Sequence, residues 1–411
     1  MNKNIKLAVA GAVLALSATA NAGIIIPAGE WTVDIGGNVN AFYTNTQKDT
    51  TVRATGVTTA SVDGNTIGTG LLPAAFGIGA KTRQNDLDVA FQFSFFTGTS
   101  SGNNVLSTNG NGVANSENAS GQAQSGGAAG NNTLNIRQAF LTFGDKSWGS
   151  MKLGRDLGIY GSDAILSDMT LLGVGTGGPA GGSSTLGRIG SGYIYADWKG
   201  QISYTSPNFN GFQVAAGVME NFKPSALGTQ LGLRSDQMAY EGKVTYDFAA
   251  SDVTGRVWLS GITQKTEDTG SSYTSKGVDV GAKASMGPAS LVGYYYDGDG
   301  LDSQNRLLQG LFNGNGEKSK DSGGYVQATF VVPTIGTKLG ASWGRSNSKA
   351  ANNTAFDIEN ESWIVGAYHP LTKHLNLVAE YTAQEKKDRA AGATNSKVET
   401  DTISLGAILF F

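Results

Sequence analysis

The chain contains no cysteine in 411 residues. That excludes thiolate metal sites, cysteine nucleophiles and disulfide staples. Histidine is nearly missing too. His369 and His374 are the only two; they flank a short predicted turn and have no third ligand in view, so they give neither a metal centre nor a catalytic triad. Charged residues make up 15% of the chain and the formal net charge is −3. A weakly acidic chain with scattered charge is a poor nucleic-acid binder, which draws its affinity from clustered Lys and Arg. Hydrophobic residues reach 39%, and glycine is very high at 59 while proline is low at 8. Long apolar runs are absent beyond the N-terminus, where a membrane-crossing helix would need about 20 such residues. A chain with these deficits that crosses a membrane must do so with strands.

What is present begins at the N-terminus. Lys3 and Lys6 form a basic start, Leu7 to Ala18 is apolar, and Ala20-Asn21-Ala22 is a small-residue cleavage pattern. The apolar run is too short to span a bilayer, so residues 1–22 are expected to be a signal peptide cut before Gly23. Removing Lys3 and Lys6 makes the mature chain more acidic by two charges.

From Gly23 onward the dominant pattern is alternation of period two. Trp31, Val33, Ile35, Val39, Ala41 and Tyr43 oppose Thr32, Asp34, Asn38 and Asn40. Leu87, Val89, Phe91, Phe93 and Phe95 oppose Asp88, Gln92 and Ser94. Met238 to Phe248 and Leu375 to Thr382 repeat the pattern. Strands are expected near 30–46, 71–83, 86–97, 133–144, 149–155, 192–206, 211–222 and 236–248. A second half follows near 253–266, 277–286, 289–297, 322–333, 337–346, 360–371, 374–385 and 398–411. These make about 16 strands, the even number that a bacterial single-chain barrel requires. Short turns, as at Asp145-Lys146-Ser147, Gly287-Pro288 and Leu371-Thr372-Lys373, alternate with long polar loops near 99–131, 157–190, 224–235, 298–321, 347–359 and 386–397. A soluble sandwich also alternates, but short turns at one end and long loops at the other are the pattern of an outer-membrane barrel. The expected architecture is thus all-β: residues 23–411 as one transmembrane antiparallel β-barrel. Tyr193/Tyr195/Trp198 and Tyr294/Tyr295/Tyr296 read as its interfacial aromatic girdles.

Other motifs fail on context. Gly173 to Gly178 has the glycines of a dinucleotide loop but no βαβ unit around it. Asp297-Gly298-Asp299-Gly300 with Asp302 has calcium-type ligands, but the twelfth position of such a loop would be Leu308. No cofactor and no metal is expected.

The hairpin Arg137-Gln138-Ala139-Phe140 with Gly149-Ser150-Met151-Lys152-Leu153-Gly154-Arg155-Asp156, together with the terminal aromatic Phe411, resembles the Gram-negative general porins of the neisserial and β-proteobacterial type. That resemblance implies a passive channel for small hydrophilic solutes, located in the outer membrane among its lipids. It also implies a homotrimer of 16-stranded barrels, and a third long loop, here Leu157 to about Gly190, folded into the lumen as a constriction. It implies further that Phe411 serves as an assembly signal for the barrel-assembly machinery. Asp156 departs from the glutamine common after the arginine, and the last strand lacks the family's usual basic residues.

The candidate constriction residues are Arg137, Arg155, Asp156, Asp163 and Asp168. The apolar stretch Ile165 to Val174 is expected to pin the loop against the wall, since such a run is out of place in an exposed loop. By parity Lys199, Lys243, Arg256, Lys283 and Lys338 face the lumen, nearly balanced by Asp88, Asp197, Glu241, Asp279 and Glu380. Strict alternation puts Arg155 with Met151 and Leu153 on the lipid face. The preferred expectation is a bulge at Gly154 that re-aims it inward; the alternative is a subunit contact. Competing readings are a substrate-selective sugar or anion channel, a barrel enzyme and an adhesin. A sugar channel needs a ladder of rings, for which Tyr193, Tyr195 and Trp258 are the available inward aromatics. For a barrel enzyme no nucleophile–base pair is found, and an adhesin has no need of a lumen loop.

Overall fold

A computed structural model describes residues 23–52, 57–99, 135–177, 184–221, 237–268, 271–301, 318–349, 357–389 and 396–411. The expected signal peptide and most of the long outer loops lie outside them. The strands are β1 Ile24–Ala28, β2 Trp31–Val52, β3 Val57–Gly68, β4 Ala74–Gln84, β5 Leu87–Thr97, β6 Asn135–Asp145, β7 Gly149–Leu157, β8 Trp198–Thr205 and β9 Phe212–Met219. They continue as β10 Ala239–Ala250, β11 Val253–Asp268, β12 Ser271–Met286, β13 Ala289–Asp299, β14 Lys320–Val331, β15 Lys338–Lys349, β16 Asp357–Pro370, β17 Leu375–Asp388 and β18 Ser396–Phe410. Helix α1 Ser162–Ser167 and a 3-10 turn Met169–Leu172 lie between β7 and β8.

All pairings are antiparallel, and 18 strands fill 16 positions in a closed ring. Two positions are shared. β3 pairs with the outer half of β2, from Phe42 to Val52, and β4 pairs with its inner part, from Thr32 to Asn38. β18 ends opposite Asn38, and β1 takes over the same edge of β2 from Ile35 to Trp31. Gly37 and Phe411 exchange backbone hydrogen bonds of 2.9 and 3.1 Å at this seam. Closure removes every free edge, so each backbone polar group in the bilayer finds a partner within the ladder.

The alternation settles which face is which. Val39, Phe93, Leu141, Ile202, Leu259, Val280, Leu291, Val326, Val365 and Leu405 are large, apolar and exposed on the outside. Exposed rings stand near both ends of the apolar band, Tyr43, Tyr240, Tyr295 and Trp363 towards the outer loops, and Phe209, Phe212, Tyr246 and Phe330 towards the short turns. The inner face carries Asn, Gln, Ser, Thr and charge, and several of its residues are buried because the loop residues 158–177 and 184–197 lie against them.

Three expectations are corrected. Residues 192–197 are not strand; β8 starts at Trp198, and Tyr193-Ile194-Tyr195 alternates because it packs within the loop. Tyr193 and Tyr195 are therefore not girdle rings, and Tyr294 and Tyr296 point inward while Tyr295 points out. Strands β1 and β3 were not anticipated. β2 has 22 residues, twice what a tilted strand needs to cross hydrocarbon at about 9–11. Its upper half and β3 extend beyond the Tyr43–Ile67 pair, are mostly polar on both faces, and so lack a hydrophobic period.

Candidate functional site

The loop between β7 and β8 is tied to inward-facing side chains around much of the barrel. Glu241 of β10 accepts the backbone N–H of Ile159 and Tyr160 at 2.6 and 2.9 Å. Asp279 of β12 accepts Gly161 N–H at 3.1 Å. Gln327 of β14 accepts Met169 N–H at 2.8 Å and donates to Ser167 O at 3.0 Å. Glu380 of β17 accepts Val174 N–H and Gly175 N–H at 2.7 and 2.8 Å, and Tyr368 O–H at 2.6 Å. On the return path Asn360 donates to Gly190 O at 2.6 Å, and Gly192 N–H donates to Ser346 Oγ at 3.0 Å. The loop also meets the link between β3 and β4, where Leu71 N–H donates to Gly173 O at 2.8 Å.

Packing supports this frame. Ile165, Leu171, Ile189 and Tyr193 join Trp258, Tyr294, Tyr296 and Tyr325 of the wall in one buried cluster. Met169 and Val174 join Phe42, Ile364 and Tyr368 in another. Burying one such side chain stabilises the docked loop by about 1.5–3 kcal/mol. Close approach demands small residues on the wall: a Cβ on Gly344 would stand 2.6 Å from Ser191 O. The wall rings are thus covered by the loop, Trp258 being 3% exposed, and they form no open ladder that a sugar could follow.

Asp163 receives Lys243 Nζ at 2.6 Å and Arg256 Nη1 at 3.2 Å. Burial pushes its carboxyl up, but the two cations outweigh that and hold it below the usual carboxylate range. Asp168 accepts Thr170 N–H at 2.9 Å, Arg188 N–H at 3.2 Å and Tyr193 O–H at 2.7 Å. It is 3% exposed and caps the turn within the loop. It was expected as a constriction residue, and its acceptors are used up by the loop's own donors. Asp156 faces inward and takes Gln138 Nε2 at 2.8 Å and the Lys152 ammonium. Lys199 is paired with Glu241. Asp197 adopts a left-handed backbone with φ 59° and accepts Trp198 N–H at 2.7 Å. Burial raises its pKa, opposed by Lys199.

Arg137 is itself a bulge residue. Ser94 faces Gln138 and Phe95 faces Ile136, so Arg137 is the extra residue, stacked 4.8 Å over the Phe96 ring. The expected bulge at Gly154 is absent. The register runs unbroken from Asp145↔Gly149 to Ala139↔Arg155, so Arg155 keeps the outer face of Leu141 and Leu153. Gly154 has φ +123°, and a Cβ there would stand 2.3 Å from Ala139 O, so close packing against β6 accounts for the glycine.

One residue escaped the sequence reading. Arg188 is fully buried and reaches across the barrel, with Nε donating to Ser342 and Nη1 to Ser362 Oγ at 3.1 Å. Desolvation lowers its pKa to about 10, with Asp168 opposing. The small inward serines at 342, 346 and 362 were the available signal, since they leave room for something from outside their strands.

Among the described residues the inward charges divide by exposure. Asp156, Asp163, Asp168, Glu241, Asp279 and Glu380 are each at most 5% exposed. Asp88 and Asp247 are more open but bind Arg83 and Arg256. Lys81 and Lys283 are exposed, Lys338 is half-buried with its ammonium 4.5 Å from the Tyr368 ring, and Arg256 is 36% exposed. Below the loop a cavity of about 420 Å³ is lined by Lys81, Lys152, Lys243 and Arg256 and by the carboxylates Asp34 and Asp156, among hydroxyl, amide and apolar side chains.

Comparison with known proteins agrees with this geometry. No curated protein sequence matches the chain. Among solved structures, an anion-selective porin from Comamonas acidovorans is similar, with 18% identity, a TM-score of 0.59, and 93% of this chain and 100% of that one covered. The outer membrane channel DcaP of Acinetobacter baumannii is similar at 14% identity and TM-score 0.64, covering 94% of this chain and 99% of that one. The trimer form of OmpT, an outer membrane protein of Vibrio cholerae, is similar at 13% identity and TM-score 0.52, with 93% and 99% covered. These identities speak for the fold; the family model for Gram-negative porins matches residues 7–389. With its closed ring of 16 strand positions, apolar outside and polar inside, the chain belongs to the Gram-negative porin family, and is an outer-membrane channel for passive diffusion.

Proposed function

We propose that the described loop residues 158–177 and 184–197 form the constriction of this channel and that the channel prefers small anions. The observation that carries the preference is the difference in exposure among inward charges. Docking the loop consumes the carboxylates Glu241, Asp279 and Glu380 as acceptors for backbone N–H groups. An ion in the water therefore meets the four cations Lys81, Lys283, Lys338 and Arg256 against fewer open acids, of which Asp34 stands beside Lys81. Charges at a narrow, low-dielectric passage dominate, while those farther off are screened within about 8 Å at physiological salt. The net acidity of the chain does not decide the outcome. No bond chemistry is required of such a site, whose work is a radius and a field.

Replacing Lys283 and Lys338 together with glutamine is expected to shift the reversal potential in a salt gradient towards cations. Arg155→Ala, on the outer face, is expected to leave it unchanged. If the lysine pair can be removed with no shift, the anion preference does not arise there.

The same reading includes a cleaved signal peptide over 1–22, assembly as a homotrimer, and Phe411 as an assembly signal. Phe411 ends the strand position that closes the ring. Its deletion is expected to reduce outer-membrane yield and trimer content in cells while channels refolded in vitro keep their conductance. Unchanged yield and trimer content would remove the assembly role.

A further inference from the structure

The outer wall carries a groove that channel function does not use. It crosses β12 to β16 and has a volume of about 580 Å³. Its floor is made of small outward-facing residues, Ala282, Ala284, Gly293, Ala328 and Ala341, between the larger Leu291, Val326, Trp343 and Trp363. Trp343 and Trp363 are direct ladder partners with ring centroids 6.3 Å apart. They close the groove at its outer end.

Directly above that end, on the same face, the chemistry changes. Arg345 lies two residues beyond Trp343, a rise of about 7 Å, with its guanidinium 5.9 Å over the Trp343 ring. Arg345, Lys387 and Arg389 surround the Glu359 carboxylate at 3.5, 3.8 and 2.7 Å. Lys387 also binds Glu385, and Glu361 stands opposite Arg345 in the ladder. The two arginines remain over 40% exposed while Glu359 is 12% exposed. Arg345 shares the outward face of Trp343, and both arginines are open to the outside where the apolar wall gives way to charged wall.

We propose that this is a binding site for one phosphate-bearing lipid of the outer leaflet, with acyl chains in the groove and a phosphate on Arg345 and Arg389. Three features converge on that occupant. The groove is apolar and faces hydrocarbon, so an alkyl chain fills it with no polar group left unpaired. Trp343 and Trp363 mark the interface, where indole rings sit with one edge apolar and one wet. The planar guanidinium offers paired donors that match phosphate oxygens better than an ammonium does. Glu359 holds both arginines beside one another, so the donors are positioned before the lipid arrives.

The test uses the full mature protein, purified in detergent and examined by native mass spectrometry with added diphosphoryl lipid A or its dephosphorylated form. Wild type is expected to retain the phosphorylated lipid at least tenfold better than the dephosphorylated one. Arg345→Gln combined with Arg389→Gln is expected to abolish that difference. Gly293→Leu fills the groove, since a Cβ at Gly293 meets nothing within 4 Å, and is expected to lower retention of both forms. Conductance should be unaltered in both variants, because all three positions face away from the lumen. Equal retention of the two lipids by wild type overturns the phosphate contact. Unchanged retention in Gly293→Leu, or loss of trimer with lipid binding intact, overturns the groove as a lipid site and makes it a contact between subunits.

Discussion

Channels carrying Glu380→Ala are expected to show larger and noisier single-channel conductance than wild type, with a lower melting temperature. Glu380 is 4% exposed and its carboxylate serves three donors, Val174 N–H, Gly175 N–H and Tyr368 O–H. Removing it strands all three in a buried place, at a cost of about 1–3 kcal/mol for each unsatisfied group. That loss exceeds what any single apolar contact of Val174 returns, so the loop is expected to detach locally from β17. Its other anchors lie on either side of this stretch: Glu241, Asp279 and Gln327 hold residues 159–169, and Asn360, Ser346 and the Arg188 bonds hold residues 188–192. Glu380→Gln keeps one acceptor oxygen and should fall between wild type and alanine. Wild-type conductance and noise in the alanine variant would mean that the segment 173–175 does not bound the pore.

The second large effect concerns Asp163. Asp163→Asn is expected to shift the reversal potential strongly towards anions. One carboxylate here neutralises two cations, Lys243 and Arg256. At ~4 Å and an effective dielectric of about 20 a unit charge pair is worth about 4 kcal/mol, which is ample to alter ion occupancy once released. Acid should act in the same way. The folded carboxyl lies below the ordinary value, so its contribution to loop docking is complete above about pH 4, the unfolded value. It is lost as pH falls through the lower folded value. Anion preference is therefore expected to rise, and thermal stability to drop, on acidification below about pH 4. Other carboxylates titrate nearby, so the comparison that matters is the difference between wild type and Asp163→Asn. If the two show the same pH profile of reversal potential, Asp163 is not a pore-facing switch.

Much of the barrel was legible without coordinates because a strand with one face in lipid and one in water must alternate. Phe91 and Phe93 against Gln92 and Ser94 leave no other face assignment, and every expected strand has a counterpart. The parity of Lys243, Arg256, Lys283 and Lys338 followed from the same rule. The rule fails where both faces are wet, as in β3, and where a segment packs inside protein, as in Tyr193 to Tyr195. At Arg155 the rule held and the expected exception did not: Gly154 suggested a bulge, but the unbroken register to Ala139 keeps the arginine on the outer face that strict alternation gives it.

By itself, then, the sequence determined the class, the closed antiparallel barrel, the inward and outward faces, and which loop carries the apolar stretch. These are local consequences of period two and of the rule that backbone polar groups in a bilayer must pair. What only the tertiary structure decided is the state of each charge. Asp163, Asp168 and Glu380 look alike in the sequence as inward or loop acids. One neutralises two wall cations, one caps a turn beneath Tyr193, and one receives the backbone of Val174 and Gly175. Arg188 became visible as an anchor only when Ser342 and Ser362, more than 150 residues away, were brought to its side. Hydrogen bonds between a loop and distant strands depend on closure of the ring and on the loop's path across it, and neither leaves a period in the chain.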